Sequence, residues 1–249
     1  MQLPIYFFGD THFKPLKSQE ENEKIAKFSQ FLDSISINNA KGSLFIMGDC
    51  FDYYFEYRNQ NSSEHEEVLS KIKAMKEKGF DIYFIAGNHD YWIGDYFKKH
   101  ITEAFLSDTT TEHNSTKIYI THGDGILSWD KSYRLLKKVI RSNIFIKTYS
   151  LLPRSVALKI ANKISYERKD SHNIDQDKLN RIHDELESFA QQKIDEGFKY
   201  VIMGHYHHSY HKTLNGGELI LLGECNEENY NYAVFDGNQL EIKNYKRKK

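Results

Sequence analysis

The sequence is poor in cysteine and contains no long apolar run. Two cysteines occur among its 249 residues, Cys50 and Cys225, and they do not form a Cys-x-x-Cys motif. This scarcity argues against a disulfide-bonded domain and against a zinc site built from thiolates, and it is typical of a protein of the reducing cytoplasm. No run of eighteen or more apolar residues is present, so we expect neither a transmembrane helix nor a signal peptide.

Net charge is also nearly absent, with a formal value of −1 at pH 7. Because a general nucleic-acid-binding protein carries a strong positive charge, we do not expect nucleic acid as a partner. The average conceals one basic segment. Residues 134–169 contain ten Lys or Arg and one acid, a balance of +9 that leaves −10 for the rest of the chain. We therefore expect this segment to face an anion.

Five short apolar segments each lead into an Asp, Asn or His side chain, with a glycine beside it. They are residues 5–12, 43–52, 82–90, 118–124 and 200–207. Short apolar runs bounded by turn residues are typical of strands that are buried on both faces. In an open α/β sheet, ligands bind where such strands end. The five segments are therefore expected to direct their polar side chains into one crevice.

The polar groups at these strand ends are of the types that bind divalent metals. Carboxylate, amide and imidazole groups suit hard or borderline ions. Asp10 and His12 lie two residues apart at one strand end, and His205 and His207 repeat this spacing. Seven such groups exceed the needs of one ion with an open position. They favour two ions bridged by a shared carboxylate, for which Asp49 is the candidate, and this arrangement suits phosphoryl transfer.

The rest of the pattern predicts helices around the strands. Apolar residues recur at helical spacing within Gln19–Ile37, which would join the first two strands as a βαβ unit. A second helix is predicted over residues 64–78 with Gly79 as its C-cap, and a third through Tyr96. Residues 126–197 are predicted to be helical with a break at Pro153, their last part, residues 175–194, packing on the sheet.

Strand patterns return near the end of the chain. Residues 107–116 are rich in Thr and predict an irregular connection. Residues 218–222, 232–235 and 240–245 predict antiparallel strands, the last two joined by a hairpin turn at Gly237. Histidines outside the motifs, among them His183 and His211, are predicted to be surface residues, whereas His208 is a candidate extension of the metal site.

The ordered motifs resemble those of the calcineurin-like metallophosphoesterase superfamily. They are Asp10-x-His12, Gly48-Asp49, Gly87-Asn88-His89-Asp90, His122 and Gly204-His205-x-His207. The resemblance implies that one metal ion is bound by Asp10, His12, Asp49 and His207, and the other by Asp49, Asn88, His122 and His205. It also implies that Asn88 and His89 are catalytic. His89 would be a non-ligand histidine that donates to a phosphate oxygen or to the leaving group.

Longer matches resemble one family within this superfamily, the UDP-2,3-diacylglucosamine diphosphatases of lipid A biosynthesis. Residues 48–57, the His122-Gly-Asp124 motif and residues 152–161 are similar to segments of that family. The resemblance implies that the family's helical lid corresponds to the basic segment and that the substrate is contacted by Asp130, Tyr133 and Lys159. The sequence departs from the family at Ala157, where a basic residue is usual.

Together these features predict an α/β fold, a four-layer αββα metallophosphoesterase sandwich with a helical lid insertion. Residues 1–125 and 198–245 would form the core, residues 126–197 the helical insertion with a substrate lid in its first part, and residues 246–249 a basic tail. The cofactors would be two divalent metal ions. Mn²⁺, Fe and Zn²⁺ all accept these ligands, and Mn²⁺ is the ion we expect.

The implied reaction is hydrolysis of the pyrophosphate bond of UDP-2,3-diacylglucosamine to UMP and 2,3-diacylglucosamine 1-phosphate. The partners would be this nucleotide-activated glycolipid and the inner face of the cytoplasmic membrane, where the enzyme would be peripheral. Two alternatives remain open. One is a metallophosphoesterase that acts on a soluble nucleotide or phosphodiester, and the other is a non-catalytic scaffold that retains the fold. The sequence does not indicate an acyl-chain length or an oligomeric state.

Overall fold

A computed structural model describes residues 1–15, 18–37, 41–56, 65–100, 103–153, 155–160, 175–226 and 230–246. The strands are β1 Ile5–Phe8, β2 Gly42–Ile46, β3 Phe80–Ile85, β4 Glu103–Phe105, β5 Thr109–His113, β6 Thr116–Thr121, β7 Tyr200–Met203, β8 Tyr210–Thr213, β9 Glu218–Leu221, β10 Tyr230–Phe235 and β11 Leu240–Tyr245. The helices are α1 Gln19–Ile37, α2 Glu66–Glu77, α3 Asp95–His100, α4 Lys131–Ile140, α5 Asn143–Tyr149 and α6 Gln176–Asp195.

Some sequence predictions concern residues outside these described ranges. Residues 57–64 include the end of the second resembling motif. Residues 161–174 and 247–249 include part of the basic segment and most of the basic tail. These predictions lie outside the described residues and stay predictions.

The first sheet has the strand order β11-β10-β1-β2-β3-β4. Strands β1 to β4 run parallel, and β10 joins β1 in the antiparallel direction. Helix α1 connects β1 with the parallel β2, which confirms the predicted βαβ unit. The helix begins where the Ser18 hydroxyl accepts a hydrogen bond from the Glu21 amide (3.1 Å), an N-cap contact that satisfies one backbone donor.

The second sheet has the order β5-β6-β7-β9-β8. Strands β6, β7 and β9 are parallel, whereas β5 and β8 close the two edges in the antiparallel direction. The carboxyl ends of β6 and β7 therefore lie side by side, as do those of β1, β2 and β3 in the first sheet. The five strands that the sequence analysis identified by the polar residues at their ends therefore all end along one side of their sheets.

Packing of the two sheets confirms the predicted four layers. Phe7, Phe45, Ile120 and Ile202 are fully buried between the sheets. The opposite face of the first sheet packs against α1 and α2, in a cluster that includes Phe8, Phe28, Phe31, Leu44 and Ile72. The outer face of the second sheet packs against α6, through residues that include Leu186, Ala190, Val201 and Leu221. Burial on both faces explains why the strands read as continuous apolar runs.

The sequence predictions were wrong for several smaller elements. Residues 107–116 contain β5, whose Thr residues pair with β6 across a tight turn in which Asn114 and Ser115 have positive φ angles. Strand β9 is not purely antiparallel, since it runs parallel to β7 and antiparallel to β8. The short edge strands β4 and β8 were not predicted, and the third helix begins only at Asp95. Edge strands lack the continuous apolar pattern on which the predictions relied.

The described part of the segment before α6 contains helices, as predicted. Helices α4 and α5 are followed by helical residues 155–160, whereas α6 belongs to the core because it packs on the second sheet. Within the part of the chain that the structure describes, no helix has the length and apolar character needed to cross a membrane.

Candidate metal centre

The structure brings together all seven of the side chains predicted as metal ligands. Each of them lies just beyond the carboxyl end of a strand, Asp10 and His12 after β1, Asp49 after β2, Asn88 after β3, His122 after β6, and His205 and His207 after β7. The first three strands belong to one sheet and the last two to the other. The site therefore lies where the same edges of both sheets meet.

One group consists of Asp10, His12 and His207. Each offers one ligand atom, and these atoms all lie within 4.8 Å of one another. The Nε2 atoms of His12 and His207 are 3.1 Å apart, and Nε2 of His207 is 3.7 Å from Oδ1 of Asp10. Two imidazole nitrogens and a carboxylate oxygen that converge in this way can bind one divalent ion.

The second group consists of Asp49, His122 and His205, again with ligand atoms within 4.8 Å of one another. Nε2 of His122 lies 3.2 Å from Oδ1 of Asn88, which places the amide with this group. Nδ1 of His122 donates to the Met47 carbonyl (2.9 Å), so Nε2 is the nitrogen that faces the site. A second partner that fixes the ring in this way is usual for metal-binding histidines.

Asp49 lies between the two groups. Its Oδ2 atom is 3.3 Å from Nε2 of His122 and 4.0 Å from Nε2 of His12. Its other oxygen, Oδ1, accepts a hydrogen bond from the His89 amide (2.9 Å), which fixes the rotation of the carboxylate. One oxygen of Asp49 therefore faces both groups, as a bridging ligand requires.

The backbone around the ligands is strained. Asp10, His12, Asp49, His205 and His207 all have positive φ angles, between 46° and 72°. Outside the β5–β6 turn, these five are the residues other than glycine with positive φ in the described part of the chain. Such conformations are disfavoured for residues with a side chain and persist where the surrounding structure enforces them, which is common at functional sites.

Two glycines keep the centre open. A Cβ atom on Gly87 would lie 2.1 Å from Oδ1 of Asp49, and one on Gly48 would lie 2.6 Å from Nδ1 of His122. Gly48 also has a φ angle of +89°. Any side chain at these positions would displace a predicted ligand, so the glycines in these motifs are explained by close approach as well as by backbone conformation.

Electrostatics at the centre favour the binding of positive charge. Asp10 and Asp49 are almost completely buried, and among the described residues their charged neighbours within ion-pair distance are histidines. Burial raises the pKa of Asp10 to about 8, and the nearby Asp49 adds to the increase. Burial alone would lower the pKa of His122, but Asp49 and Asp10 raise it to about 10. Two buried carboxylates, an amide oxygen and several imidazoles are a donor set that fits divalent metal ions.

His89 lies beside the centre rather than within either group. Its Nδ1 atom donates to the Asp52 carbonyl (2.9 Å), and its ring meets the His12 ring edge-on at 4.9 Å. Asp52 is a site residue to which the sequence analysis gave no role. One of its carboxylate oxygens lies 3.9 Å from Nδ1 of both His12 and His89.

Asp90 organises the loops that hold the ligands. Its two buried oxygens accept hydrogen bonds from the amides of Asp49 (3.2 Å), Cys50 (2.8 Å), Phe51 (3.3 Å) and Gly87 (2.8 Å). The carboxylate therefore ties the loop after β2 to the loop after β3. The sequence shows Asp90 next to the Asn88-His89 motif, but only the fold reveals which backbone amides it contacts.

Asp124 joins helix α4 to the centre, a role that the sequence analysis missed. Its Oδ2 atom accepts hydrogen bonds from the hydroxyl of Tyr133 (2.7 Å) and from Arg141 (2.9 Å), and Nζ of Lys137 lies at 2.9 Å. Burial opposes ionisation of Asp124, but His122, Arg141 and Lys137 hold its pKa well below the usual value. Arg141 also donates to the carbonyl of Gly87 (3.2 Å), immediately before Asn88.

The predicted substrate-contacting residues occupy different positions. Tyr133 lies near the centre, its ring stacked with the ring of His205 at 6.2 Å. Asp130 is the N-cap of α4, where its Oδ1 atom accepts a hydrogen bond from the Tyr133 amide (3.1 Å). Lys159 is exposed on helical residues 155–160, whereas Ala157 is buried in an aromatic cluster with Tyr53, Phe55 and Tyr149.

Comparisons with known proteins show which family the chain is similar to. The Calcineurin-like phosphoesterase family matches residues 3–209. A UDP-2,3-diacylglucosamine hydrolase of Haemophilus influenzae (strain PittGG) is 30% identical over 231 residues, which are 92% of this chain and 92% of that protein. A protein of the same name from Neisseria meningitidis serogroup B (strain ATCC BAA-335 / MC58) is 27% identical over 94% of this chain and 95% of its own length. Another, from Porphyromonas gingivalis (strain ATCC BAA-308 / W83), is 26% identical over 96% and 97% of the two chains.

Proposed function

The chain belongs to the Calcineurin-like phosphoesterase family, and we propose that it is the enzyme that hydrolyses UDP-2,3-diacylglucosamine in lipid A biosynthesis. Water would cleave the pyrophosphate bond and release UMP and 2,3-diacylglucosamine 1-phosphate. The proposal is supported by relatives of this name that match more than nine tenths of the chain. It is also supported by the helical segment docked beside the metal centre.

We assign the two groups of ligands to two ions. Asp10, His12, Asp49 and His207 would hold one, and Asp49, Asn88, His122 and His205 the other. Two adjacent divalent ions activate water and stabilise the charge of a phosphoryl group under attack. Mn²⁺ is the proposed ion, since it accepts a mixed set of ligands in which carboxylate and amide oxygens accompany the imidazoles.

The protein's own groups would then orient the substrate. The Asp52 carbonyl holds the ring of His89 at Nδ1, so that Nε2 is available to the phosphate or the leaving group. The amide of His89 keeps Asp49 in its bridging orientation. We assign His89 the role of a positioned donor, which is a different task from that of the ligands next to it.

The segment of residues 126–160 has the properties of a lid for a lipid substrate. It is attached at two points, and the first of them includes the predicted site residue Tyr133. Arg141, Lys137 and Tyr133 meet Asp124, while Trp92 donates from Nε1 to the Ile140 carbonyl (3.0 Å) and stacks with Tyr149 at 5.8 Å. The observation that carries the proposal is this placement of cationic side chains and an apolar helix pair directly against the metal centre.

The outer surface of the same segment is unusually apolar. Six of its large hydrophobic side chains are exposed, Leu135, Val139, Ile144, Leu151, Val156 and Ile160. Arg134, Lys138, Lys147 and Lys159 are exposed among them. Apolar side chains interleaved with lysine and arginine favour binding at an anionic lipid surface. We therefore propose that the enzyme is cytoplasmic and peripheral on the inner face of the cytoplasmic membrane.

The test is hydrolysis by the purified, Mn²⁺-loaded protein of UDP-2,3-diacylglucosamine in detergent micelles, followed by phosphorus NMR and mass spectrometry. The expected products are UMP and 2,3-diacylglucosamine 1-phosphate. Asp49→Asn is the matched control because it preserves the size of the bridging group and removes its charge, and it should abolish turnover while the fold is retained.

UDP-glucosamine without acyl chains is the comparison substrate. If it is hydrolysed as efficiently as the diacylated compound, the soluble-nucleotide alternative is the better account. If neither substrate is hydrolysed by a protein that retains both ions, the non-catalytic scaffold is favoured. A clear preference for the diacylated substrate supports the proposed function.

A further inference from the structure

A second pair of histidines lies outside the predicted metal centre. His183 is on α6, and His208 lies in the loop between β7 and β8, directly after the predicted ligand His207. Their Nε2 atoms are 2.8 Å apart. The sequence analysis predicted His183 to be an isolated surface residue, but both side chains are only partly exposed and face each other.

The arrangement is similar to that of the predicted ligands His12 and His207. In that pair the Nε2 atoms are 3.1 Å apart, and in this pair they are 2.8 Å apart. Nδ1 of His208 lies 2.9 Å from the Tyr206 carbonyl and donates to it, so that Nε2 presents a lone pair toward His183. A histidine held by a backbone carbonyl in this way is oriented as metal-binding histidines usually are.

The surroundings of the pair hold the ring of His183 in place. The ring of His183 stacks on Tyr210, with the ring centroids 3.9 Å apart, and this contact holds the imidazole in place. Glu187 lies one turn further along α6 and accepts a hydrogen bond from the Tyr210 hydroxyl. Burial and the neighbouring His208 lower the pKa of His183, which favours the neutral form of its ring.

We propose that His183 and His208 form a third metal site, separate from the two-ion centre, which binds one borderline divalent cation of the zinc type. Two imidazole nitrogens select Zn²⁺, Ni²⁺ or Cu²⁺ over Mn²⁺, which prefers oxygen donors. Water would complete the coordination. The ligands of this site differ from those of the proposed catalytic centre, because the pair provides two imidazole nitrogens and no carboxylate or amide oxygen.

An ion bound by the pair would affect the loop that follows β7. The loop that carries His208 also carries His205 and His207 and is otherwise held by the amide of His205 on Asp10 and by the hydroxyl of Tyr206 on the Gly123 carbonyl. An ion between His183 and His208 would add a link from this loop to α6. Zinc would therefore stabilise the loop that supplies two ligands to the catalytic centre.

The proposal is tested by counting bound ions. Wild-type protein, His183→Gln and the control His211→Gln are dialysed against a series of free Zn²⁺ concentrations and then analysed for zinc per chain. His211 is an exposed histidine on β8 that pairs with Glu218 (2.8 Å), so it controls for the loss of any surface imidazole. Wild type and His211→Gln should each bind one more zinc ion than His183→Gln, and the three proteins should bind equal amounts of Mn²⁺.

A measurement on the wild-type protein makes the test independent of the variant's folding. Nitrogen NMR of the imidazole groups during a Zn²⁺ titration should show the Nε2 resonances of His183 and His208 shifting together. Equal zinc contents in wild type and His183→Gln, or unshifted Nε2 resonances at saturating Zn²⁺, would show that the pair is only a hydrogen bond. Because neither readout depends on catalysis, either result leaves the proposed hydrolase function untouched.

Discussion

At the scale of single residues, neighbouring side chains in the centre have separate tasks that mutagenesis can distinguish. Asp49 and His89 are joined by a hydrogen bond from the His89 amide to Oδ1 of Asp49. The ring of His89, by contrast, makes its hydrogen bond with the carbonyl of Asp52 and does not belong to either ligand group that we assign. Removing the ring should therefore leave the bridging carboxylate in place.

This separation gives a prediction for His89→Ala. The variant keeps the backbone amide that orients Asp49, so both ions should remain bound in elemental analysis. Loss of the positioned donor should lower kcat by about 10²–10⁴-fold, the range typical of general acid and electrostatic groups. If one ion is lost from the variant, then His89 is a ligand and the assignment is wrong.

A second residue-scale prediction concerns His65, which is not one of the predicted ligands. Burial lowers its pKa from 6.5 to about 4, although its ring nitrogen donates to the Tyr53 carbonyl (3.0 Å). The unfolded chain takes up a proton near pH 6.5 and the folded one does not, so stability falls as the pH is lowered from about 7.5 to 4. This residue alone should cost up to about 3 kcal/mol over that range.

Urea unfolding at several pH values, with a chelator present throughout, measures this effect. His65→Gln cannot titrate, so its stability should depend less steeply on pH between 7.5 and 4. Identical slopes for wild type and His65→Gln would contradict the prediction.

The candidate ligands could be predicted from sequence because each one follows a buried strand, and parallel strands place their carboxyl ends together. Asp90, Asp124 and the His183–His208 pair could not be assigned in this way. Asp90 contacts amides up to 41 residues away, and His183 meets a residue from another element. Partners of this kind depend on how the layers pack, and no local pattern encodes them.

At the scale of secondary-structure elements, strands in the core were easier to predict from sequence than strands at the edges of the sheets. Strands β1, β2 and β7 are buried along their whole length, β3 and β6 are buried over part of theirs, and all five were recognised from their apolar runs. β5 has a Thr-rich, half-exposed sequence, and its direction is set by the turn at Asn114 and Ser115. β9 was recognised as a strand but not its direction, because the chain reaches it from its parallel partner β7 through β8, a strand that was not predicted.

Helix α4 shows how an amphipathic element is fixed by polar contacts. It buries only Tyr133 and Ile140, so apolar packing contributes little to its position. Its main attachment is the buried Asp124 carboxylate, which receives Tyr133, Lys137 and Arg141 together. Removing one partner from such a buried network is costly, because the remaining charges are then buried without an opposite charge beside them.

We therefore predict that Asp124→Asn loosens α4 without unfolding the core. The amide still accepts from Tyr133 but loses the charge that holds Lys137 and Arg141. Loss of about 1–3 kcal/mol of local stability should raise amide hydrogen exchange over residues 131–140 by roughly ten- to a hundredfold. Exchange within α6, which packs on the second sheet, is the internal control. Equal increases in α4 and α6 would indicate global destabilisation and contradict the local role.

At the scale of the whole molecule, charge and apolar surface are concentrated on one segment. Of the eight exposed large hydrophobic side chains among the described residues, six lie within residues 135–160. That segment also carries six Lys or Arg and no acid, a balance of +6 that leaves −7 for the remainder of the chain. A substrate with two acyl chains and a charged pyrophosphate requires an apolar surface and cations together, and the molecule has both at the edge of its metal centre.

The last prediction uses this distribution to separate a lipid substrate from a soluble one. Val139→Asp and Ile160→Asp place a charge on apolar side chains that are 49% and 36% exposed, so the fold should tolerate them. Ile140 is unsuitable because it is buried. Each acyl methylene that loses its apolar contact costs about 0.8 kcal/mol. Both variants should therefore raise KM for UDP-2,3-diacylglucosamine at least about tenfold.

Two controls make this prediction specific. Hydrolysis of a small generic phosphodiester should be nearly unchanged in both variants, because the metal centre is intact. Ile37→Asp adds the same charge at a side chain that is 80% exposed at the end of α1, outside the apolar segment, and should affect neither substrate. Equal losses on both substrates would indicate damage to the fold. Unchanged KM for the diacylated substrate in Val139→Asp and Ile160→Asp would mean that the apolar surface does not bind acyl chains, and it would favour a soluble phosphoester as the substrate.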